Sequence, residues 1–248
     1  MNAMSDASTP QVRVLLLRHG QVPHHRSDVP LTDMGMAQAQ AAGKWFAESR
    51  IEVAALLSGE TLRTRETADG FANGYRGVEA APELPDPVVS FALRNPDMYL
   101  GGHRINLAEG AAALAAQSPA VSEADVEASS YFGPLMTAKD RVGYWLEHPN
   151  PPGDNAHDVA RRIAAFVRSC ADVPAWRGGT VVAVTHSPVL RAVRLGHQGL
   201  YTREPAFLHG FEVVMQAGGE LTFDELHPDL GGLPTTSKPG AGFGEVTK

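Results

Sequence analysis

Near the start of the chain lies the run VRVLLLRHG, residues 12–20. Its first six residues are mainly aliphatic, and the run breaks at Arg18-His19-Gly20, which is the pattern of a buried strand that ends in a loop. A second run, Thr180 to Thr185, follows two glycines and ends at His186. Both runs predict a buried strand that carries a polar side chain at its carboxyl end.

Between and after these runs, apolar residues recur at helical spacing in several segments. We predict helices over Thr32–Ser49, Thr61–Ala72, Leu107–Gln117, Ala138–Leu146 and Ala156–Ala171. Further strands are expected over Phe211–Met215 and Leu221–Phe223, joined by a glycine turn. Continuous apolar strands alternating with helices are typical of a mostly parallel sheet covered on both faces. The expected fold class is therefore α/β, a three-layer sandwich with helices on both faces of the sheet.

Composition limits the classes of function. The chain has 248 residues, of which 43% are hydrophobic, and this is enough for one large domain. Its formal net charge of −7 argues against nucleic acid or an anionic membrane as the main partner. The single cysteine, Cys170, excludes an internal disulfide and a cysteine-based zinc site. Without a secretory signal or a long apolar run, the protein is expected to be cytoplasmic.

The organisation of the chain follows from composition along its length. We expect a disordered amino-terminal segment over residues 1–10, because it is polar and has no apolar pattern. One α/β domain is expected over residues 11–227. The tail, residues 228–248, is rich in glycine, proline and hydroxyl side chains, so it is expected to be flexible or loosely draped on the surface.

The tripeptide Arg18-His19-Gly20 has the chemistry of a phosphate site. Ligands bind at the carboxyl ends of strands in open α/β sheets. A neutral imidazole is a nucleophile, a guanidinium grips two phosphate oxygens, and glycine lets the backbone approach a ligand closely. The alternative is a loop with a chance Arg-His pair, and the tripeptide alone does not decide between the two.

More residues bear on this choice. Five segments stand in order along the chain: Leu17–Gln21, Pro30–Ala39, Leu62–Ala68, Gly153–Arg162 and Val184–Ser187. Together they resemble the histidine phosphatase superfamily, the phosphoglycerate-mutase-like proteins. The resemblance extends from about residue 12 to about residue 195.

Carried over to this sequence, the resemblance implies that His19 is the nucleophile and becomes a phosphohistidine. It implies three further side chains around the phosphoryl group: Arg18, Arg63 and His186. We prefer Arg63 to Arg65 because Arg63 stands four residues before Thr67, as in the family pattern. Arg65 is then a solvated surface charge.

The segment after the second strand also suits a phosphate ligand. Ser187-Pro188 is a good helix start, with the serine as N-cap, so a helix amino terminus would point at the pocket. The alternative for His186 is a hydrogen-bonded structural histidine at a strand end. Gly20, Gln21 and Ser187 are expected to bind the substrate.

The proton donor to the leaving group is less certain in the sequence than the nucleophile. The family supplies it from a glutamate, and Leu84-Pro85-Asp86 falls in the corresponding place. We rank Asp86 first, with Glu83 and Asp154 as alternatives, and a turn aspartate as the structural interpretation of Asp86.

Two further segments concern ligands. The resemblance places a helical insert over the active site, at about residues 88–135, where Arg94 and Arg104 would either meet a second anionic group or be solvated loop charges. Adjacent His24 and His25 are interpreted as loop residues at the pocket rim, since no other metal ligands stand at suitable spacing. No metal and no cofactor are expected.

The leading function is hydrolysis of a small-molecule phosphomonoester by a phosphatase. The loop after His19 lacks the "T..N" element with which many members contact phosphate, which argues mildly against a phosphoglycerate-type mutase. A non-catalytic phosphate-binding regulatory module and an enzyme of non-phosphate chemistry stay open. The sequence does not name the substrate, and it leaves the oligomeric state open, a homodimer included.

Overall fold

A computed structural model describes residues 11–106 and 110–236. The expectation for residues 1–10 lies outside the described residues. The strands are β1 (Val12–Arg18), β2 (Val53–Ser58), β3 (Val88–Val89), β4 (Met98–Leu100), β5 (His103–Ile105), β6 (Thr180–Thr185), β7 (Gly210–Met215) and β8 (Leu221–Leu226). The helices are α1 (Asp33–Glu48), α2 (Leu62–Arg76), α3 (Ala111–Ala115), α4 (Glu123–Ala128), α5 (Phe132–Thr137), α6 (Arg141–Glu147), α7 (Ala156–Ala171) and α8 (Ser187–Gln198).

The central sheet has six strands in the order β3-β2-β6-β1-β7-β8. The four strands from β3 to β1 are parallel, while β7 and β8 are antiparallel to their neighbours. In register, Arg18 of β1 lies opposite Thr185 of β6, and Ser58 of β2 lies opposite Val184. The carboxyl ends of three adjacent strands therefore meet at one edge, and the predicted mainly parallel α/β fold is confirmed.

Alternate residues of the strands pack on opposite faces of the sheet, as the period of a strand requires. On one face, Leu16 and Ala183 pack in a core with Ile163 of α7. On the other face, Leu17 and Val184 pack in a core with Phe71 of α2. Burial of apolar strand residues on both faces explains why these strands are almost continuously hydrophobic.

The loop that leaves β1 is held against the start of α1. Thr32 caps α1 by accepting a hydrogen bond from the Gly35 amide at 3.0 Å, and its own amide donates to the Gln21 carbonyl at 3.0 Å. A Cβ atom on Gly35 would lie 2.2 Å from the Gln21 carbonyl oxygen. The glycine therefore lets the helix approach the backbone of the loop that carries His19.

Several element bounds differ from the sequence expectation. The expected helix over Leu107–Gln117 covers only Ala111–Ala115, and residues 107–109 lie outside the described residues. The insert over 88–135 is not purely helical, because it begins with β3 and the β4–β5 hairpin and only then continues into α3, α4 and α5.

The tail is partly tied down. Leu230 is 4% exposed in the core, the Thr235 carbonyl accepts from the Phe207 amide at 2.8 Å, and the Pro234 carbonyl accepts from the Gln38 side chain at 2.5 Å. The expectation of a loose tail is therefore wrong for residues 228–236, because a buried leucine and backbone hydrogen bonds fix them; residues 237–248 lie outside the described part. Within the described ranges, no helix is long and apolar enough to cross a membrane.

Candidate active site

Four polar side chains meet where β1, β6 and α2 converge. Arg18, His19, Arg63 and His186 are 3%, 2%, 7% and 1% exposed. The ring centroids of His19 and His186 lie 5.5 Å apart, and the His19 amide donates to the Thr185 carbonyl at 3.0 Å. We call these four side chains the phosphate cup. The structure brings together residues that are up to 168 positions apart in the sequence, from 18 to 186.

The ring of His19 is oriented by its own loop. Its Nδ1 lies 2.7 Å from the Gly20 carbonyl oxygen, which can only accept, so Nδ1 carries the proton and Nε2 keeps a lone pair. Burial, followed by the charges of Arg18, Arg63 and His186, holds the pKa of His19 well below its usual value. His19 is therefore a neutral imidazole at pH 7, with Nε2 as its nucleophilic atom.

Gly20 is required by close packing at this turn. A Cβ atom there would lie 2.6 Å from the Gly35 carbonyl oxygen, and the Gly20 amide donates to the Thr67 hydroxyl at 3.0 Å. Gln21, expected to bind substrate, accepts a hydrogen bond from the Thr32 hydroxyl at 2.8 Å through its side-chain oxygen. That oxygen therefore connects the loop to the start of α1.

Arg18 is fixed by the segment before β7. Its guanidinium donates to the Pro205 carbonyl at 2.5 Å and to Glu204 at 2.6 Å, and it lies 4.1 Å above the ring of Phe207. Burial lowers the pKa of Arg18, while Glu204 opposes this effect. Because an arginine starts from so high a pKa, the group stays charged.

Arg63 lies in the first turn of α2, whose amino terminus is capped from the loop after β1. Asp28 accepts from the Leu62 amide at 3.0 Å through both carboxylate oxygens and lies 3.4 Å from the Arg63 guanidinium. Arg65, two residues on, is exposed. The arrangement places Arg63 in the cup and Arg65 in solvent, because residues two apart on a helix face different directions.

His186 is buried without a protein partner for its ring. Neither of its nitrogens forms a hydrogen bond to a described residue, and the same holds for the Nε atoms of Arg18 and Arg63 and the Ser187 hydroxyl. Burial, followed by the charges of Arg63, His25, Arg18 and Arg162, holds the pKa of His186 well below its usual value. Buried polar atoms without partners are costly. Their convergence suits an anion with several oxygens.

Helix α8 starts one residue earlier than expected. His186 occupies the N-cap position and Ser187 is the first helical residue, so the prediction of Ser187 as N-cap is wrong. No side chain caps this helix, and its amino terminus lies directly beside the cup. The positive end of the helix dipole therefore adds to the charge that an anion would meet.

The structure does not bring Asp86 to the cup. Its side chain is 90% exposed and pairs with Arg76 at 2.7 Å, in the last turn of α2. Arg76 lies thirteen positions after Arg63 on the helix, which is about 20 Å along the axis. Glu83 is exposed on the same loop. Asp86 is therefore a surface residue, and its assignment as proton donor is corrected.

The arginines of the insert are paired with carboxylates of the protein. Arg94 binds Asp97 at 2.8 Å, and Arg104 binds Glu60 at 2.8 Å and also Asp97. Asp154, the other alternative donor, binds Arg162 at 2.8 Å. The arginines expected to meet a second anionic group are thus neutralised by carboxylates of the protein.

Two polar residues that were not among the predicted catalytic or binding residues are His25 and Asn95. His25, interpreted as a rim residue, has its ring centroid 5.9 Å from that of His19. Asn95 is 7% exposed, and its side-chain oxygen has no hydrogen-bond partner among the described residues. Asn95 follows Leu93, whose carbonyl accepts from the Thr185 hydroxyl at 2.8 Å. No sequence pattern marked Asn95, because the strand that it follows, β3, has only two residues and both are exposed.

Part of the chain matches a known protein family. The family model described as histidine phosphatase superfamily (branch 1) matches residues 14–85, the segment that carries Arg18, His19 and Arg63. Over these residues the chain is similar to the histidine phosphatase superfamily. The remaining member of the cup, His186, lies outside the matched segment and joins it through the pairing of β6 with β1.

The proteins to which this chain is similar include a mutase and a phosphatase. A 2,3-bisphosphoglycerate-dependent phosphoglycerate mutase of Rhizobium etli is 25% identical over 198 residues, which cover 75% of this chain and 80% of the relative. Among solved structures, a mycobacterial glucosyl-3-phosphoglycerate phosphatase with inorganic phosphate is 20% identical, with a TM-score of 0.56 and coverage of 87% and 96% of the two chains. A protein described as mycobacterial hydrolase 1 is 18% identical, with a TM-score of 0.58 and coverage of 88% and 98%. At these identities, the structures show a shared fold.

Proposed function

We propose that this protein hydrolyses a small-molecule phosphomonoester through a phosphohistidine on His19. One observation carries the proposal: within the phosphate cup, the buried neutral imidazole of His19 lies beside two guanidiniums and a second histidine, and its Nε2 keeps a lone pair. Phosphoryl transfer needs an in-line nucleophile and preorganised positive charge more than any other contribution from the protein. The phosphatases among the structural relatives add support.

In the first step, Nε2 of His19 attacks phosphorus and the bond from phosphorus to the ester oxygen breaks. Arg18, Arg63 and the amino terminus of α8 stabilise the charge on the equatorial oxygens. The hydrogen bond from Nδ1 to the Gly20 carbonyl holds the ring in line and favours the positive charge that it acquires. In the second step, water attacks phosphorus, the bond from phosphorus to Nε2 breaks, and inorganic phosphate and neutral His19 are released.

The charges around the cup favour a substrate with a single phosphate group. Beyond the cup, the guanidiniums of Arg94, Arg104 and Arg162 are already paired with carboxylates. A second anionic group on the substrate would have to displace those carboxylates. We therefore propose that the substrate is a phosphate ester of an alcohol with no further anionic group. We also propose that the enzyme acts in the cytoplasm and needs no metal or cofactor.

Phosphoglycerate mutase activity is the second candidate, since the Rhizobium etli relative has that name. A mutase must keep water from the phosphoenzyme and return the phosphate to an isomeric position. Interconversion of 2-phosphoglycerate and 3-phosphoglycerate faster than phosphate release would favour it over hydrolysis.

The test is phosphate release from a panel of phosphomonoesters by the wild-type protein, His19→Ala and a matched control. His157→Ala is the control, because His157 is exposed on α7. The proposal expects release by the wild type and the control and none by His19→Ala. Binding of phosphate or vanadate by a wild-type protein that releases no phosphate would support the non-catalytic module instead.

A further inference from the structure

The leaving alcohol in the proposed reaction needs a proton, and the carboxylates near the cup are poorly suited to give one. Five of them are in ion pairs with arginines, which favours the ionised form that has no proton to donate. A sixth, Glu66, lies three residues after Arg63 and accepts from the Leu31 amide at 2.7 Å. The pairs among the described residues are Asp28 with Arg63, Glu204 with Arg18, Asp154 with Arg162, Asp97 with Arg94, and Glu60 with Arg104. Asp86 points into solvent at the far end of α2. These contacts favour a donor of another type.

We propose that His25 is the proton donor to the leaving group, an assignment that rests on the proposed phosphatase function. Its ring centroid lies 5.9 Å from that of His19, with the ring planes at 52°. The 5.9 Å separation lets one phosphoryl ester contact both rings. His25 is half-buried, whereas His19 and His186 are buried, so its ring is the more accessible of the three.

The loop that carries His25 is fixed on both sides. Before it, the Gln21 carbonyl accepts from the Thr32 amide at 3.0 Å. After it, Asp28 binds the Leu62 amide at the start of α2. The loop is thereby clamped to α1 and α2, and His25 is held at the mouth of the cup. A donor needs such positioning, because proton transfer occurs only within hydrogen-bond reach.

The proton balance closes over the two steps. As Nε2 of His19 bonds to phosphorus, the ester oxygen takes the bonding electron pair and a proton from the imidazolium of His25, so that a neutral alcohol leaves. Neutral His25 then accepts a proton from the water that attacks the phosphohistidine. The imidazolium is regenerated as phosphate is released.

The experiment is a leaving-group series with p-nitrophenyl phosphate, phenyl phosphate and glycerol 2-phosphate, with kcat/KM measured for each. His25→Gln removes the acid, and His24→Gln is the matched control; the ring of His24 accepts from the Arg26 amide at 3.3 Å within the loop. Loss of a general acid costs about 10²-fold or more for the alkyl ester and little for p-nitrophenyl phosphate, whose leaving group needs no proton. We therefore expect His25→Gln to make kcat/KM depend more steeply on the leaving group, with His24→Gln unchanged.

Other outcomes separate this assignment from the proposed function. Equal losses for all three esters, or none, would overturn the role of His25 while hydrolysis stands. A steeper dependence in Asp86→Asn, with none in His25→Gln, would return the role to Asp86. Turnover of p-nitrophenyl phosphate but of neither other ester by the wild type would mean that no acid operates. Failure of the wild type to hydrolyse even p-nitrophenyl phosphate would overturn the phosphatase itself and His25 with it.

Discussion

Acidification should destabilise this protein through the two buried histidines of the cup. His19 and His186 are 2% and 1% exposed, and burial with the nearby positive charges holds the pKa of each well below its usual value. In the unfolded chain each histidine takes up a proton near pH 6.5, whereas in the folded state it stays neutral. Below pH 6.5 the unfolded state therefore binds more protons, and stability falls as the pH falls.

The size of the effect follows from proton linkage. Each histidine that stays neutral in the fold lowers the free energy of unfolding by up to about 1.4 kcal/mol per pH unit. From pH 6.5 to pH 5 this is at most about 2 kcal/mol for one histidine and about 4 kcal/mol for the pair. As the pH rises past 6.5 the unfolded state also loses these protons, and the contribution levels off.

Urea unfolding at pH 7, 6 and 5, in buffers without phosphate, measures this effect. The double variant His19→Asn with His186→Asn cannot be protonated at these positions, so its stability should fall less between pH 7 and pH 5 than that of the wild type. His157→Asn, at an exposed site, should follow the wild type. Identical pH dependence in the double variant and the wild type would refute the low pKa of the pair.

Three more predictions concern packing, capping and thiol reactivity. Gly35→Ala should lower the free energy of unfolding by about 1–3 kcal/mol, since a Cβ there would lie 2.2 Å from the Gln21 carbonyl oxygen. Gly218→Ala, with open space around it, should change the free energy of unfolding in urea by less than about 0.5 kcal/mol, and equal values for the two variants would contradict this close packing. Asp28→Ala should lower the free energy of unfolding by about 1 kcal/mol, because α2 loses its cap. The same change frees Arg63 and should raise KM for p-nitrophenyl phosphate, whereas an unchanged KM would show that the ion pair does not orient the arginine. Burial raises the pKa of Cys170 to about 12, so a disulfide reagent should label the thiol only after unfolding, and rapid labelling of the native protein would contradict its burial.

The strongest periodic patterns in the sequence were sufficient to predict their elements. Helix α7 and strand β6 have the predicted bounds, because one side of the helix and both faces of the strand are buried. Strand β2 was not predicted, since its alanines and leucines fit a helix as well as a strand. Strand β3 has two exposed residues and leaves no periodic signal.

The proton donor to the leaving group could not be identified from a sequence motif, because a motif does not say at which end of the sheet a residue lies. Because β3 runs parallel to β2, with Val89 opposite Ser58, residues before β3 lie toward the amino end of the sheet and residues after it lie toward the cup. Asp86 precedes β3, whereas Asn95 follows it. The position of His25 depends on the clamped loop, whose path a sequence pattern does not determine.

The most direct test of the mechanism is to identify the phosphorylated residue. The wild-type protein, quenched in alkali within its first turnovers of p-nitrophenyl phosphate, should carry an acid-labile phosphate on Nε2 of His19 by peptide mass spectrometry, and His19→Ala should carry none. Phosphate on His186 instead, or phosphate release at full rate with no phosphohistidine at any quench time, would contradict the assignment of His19 as nucleophile.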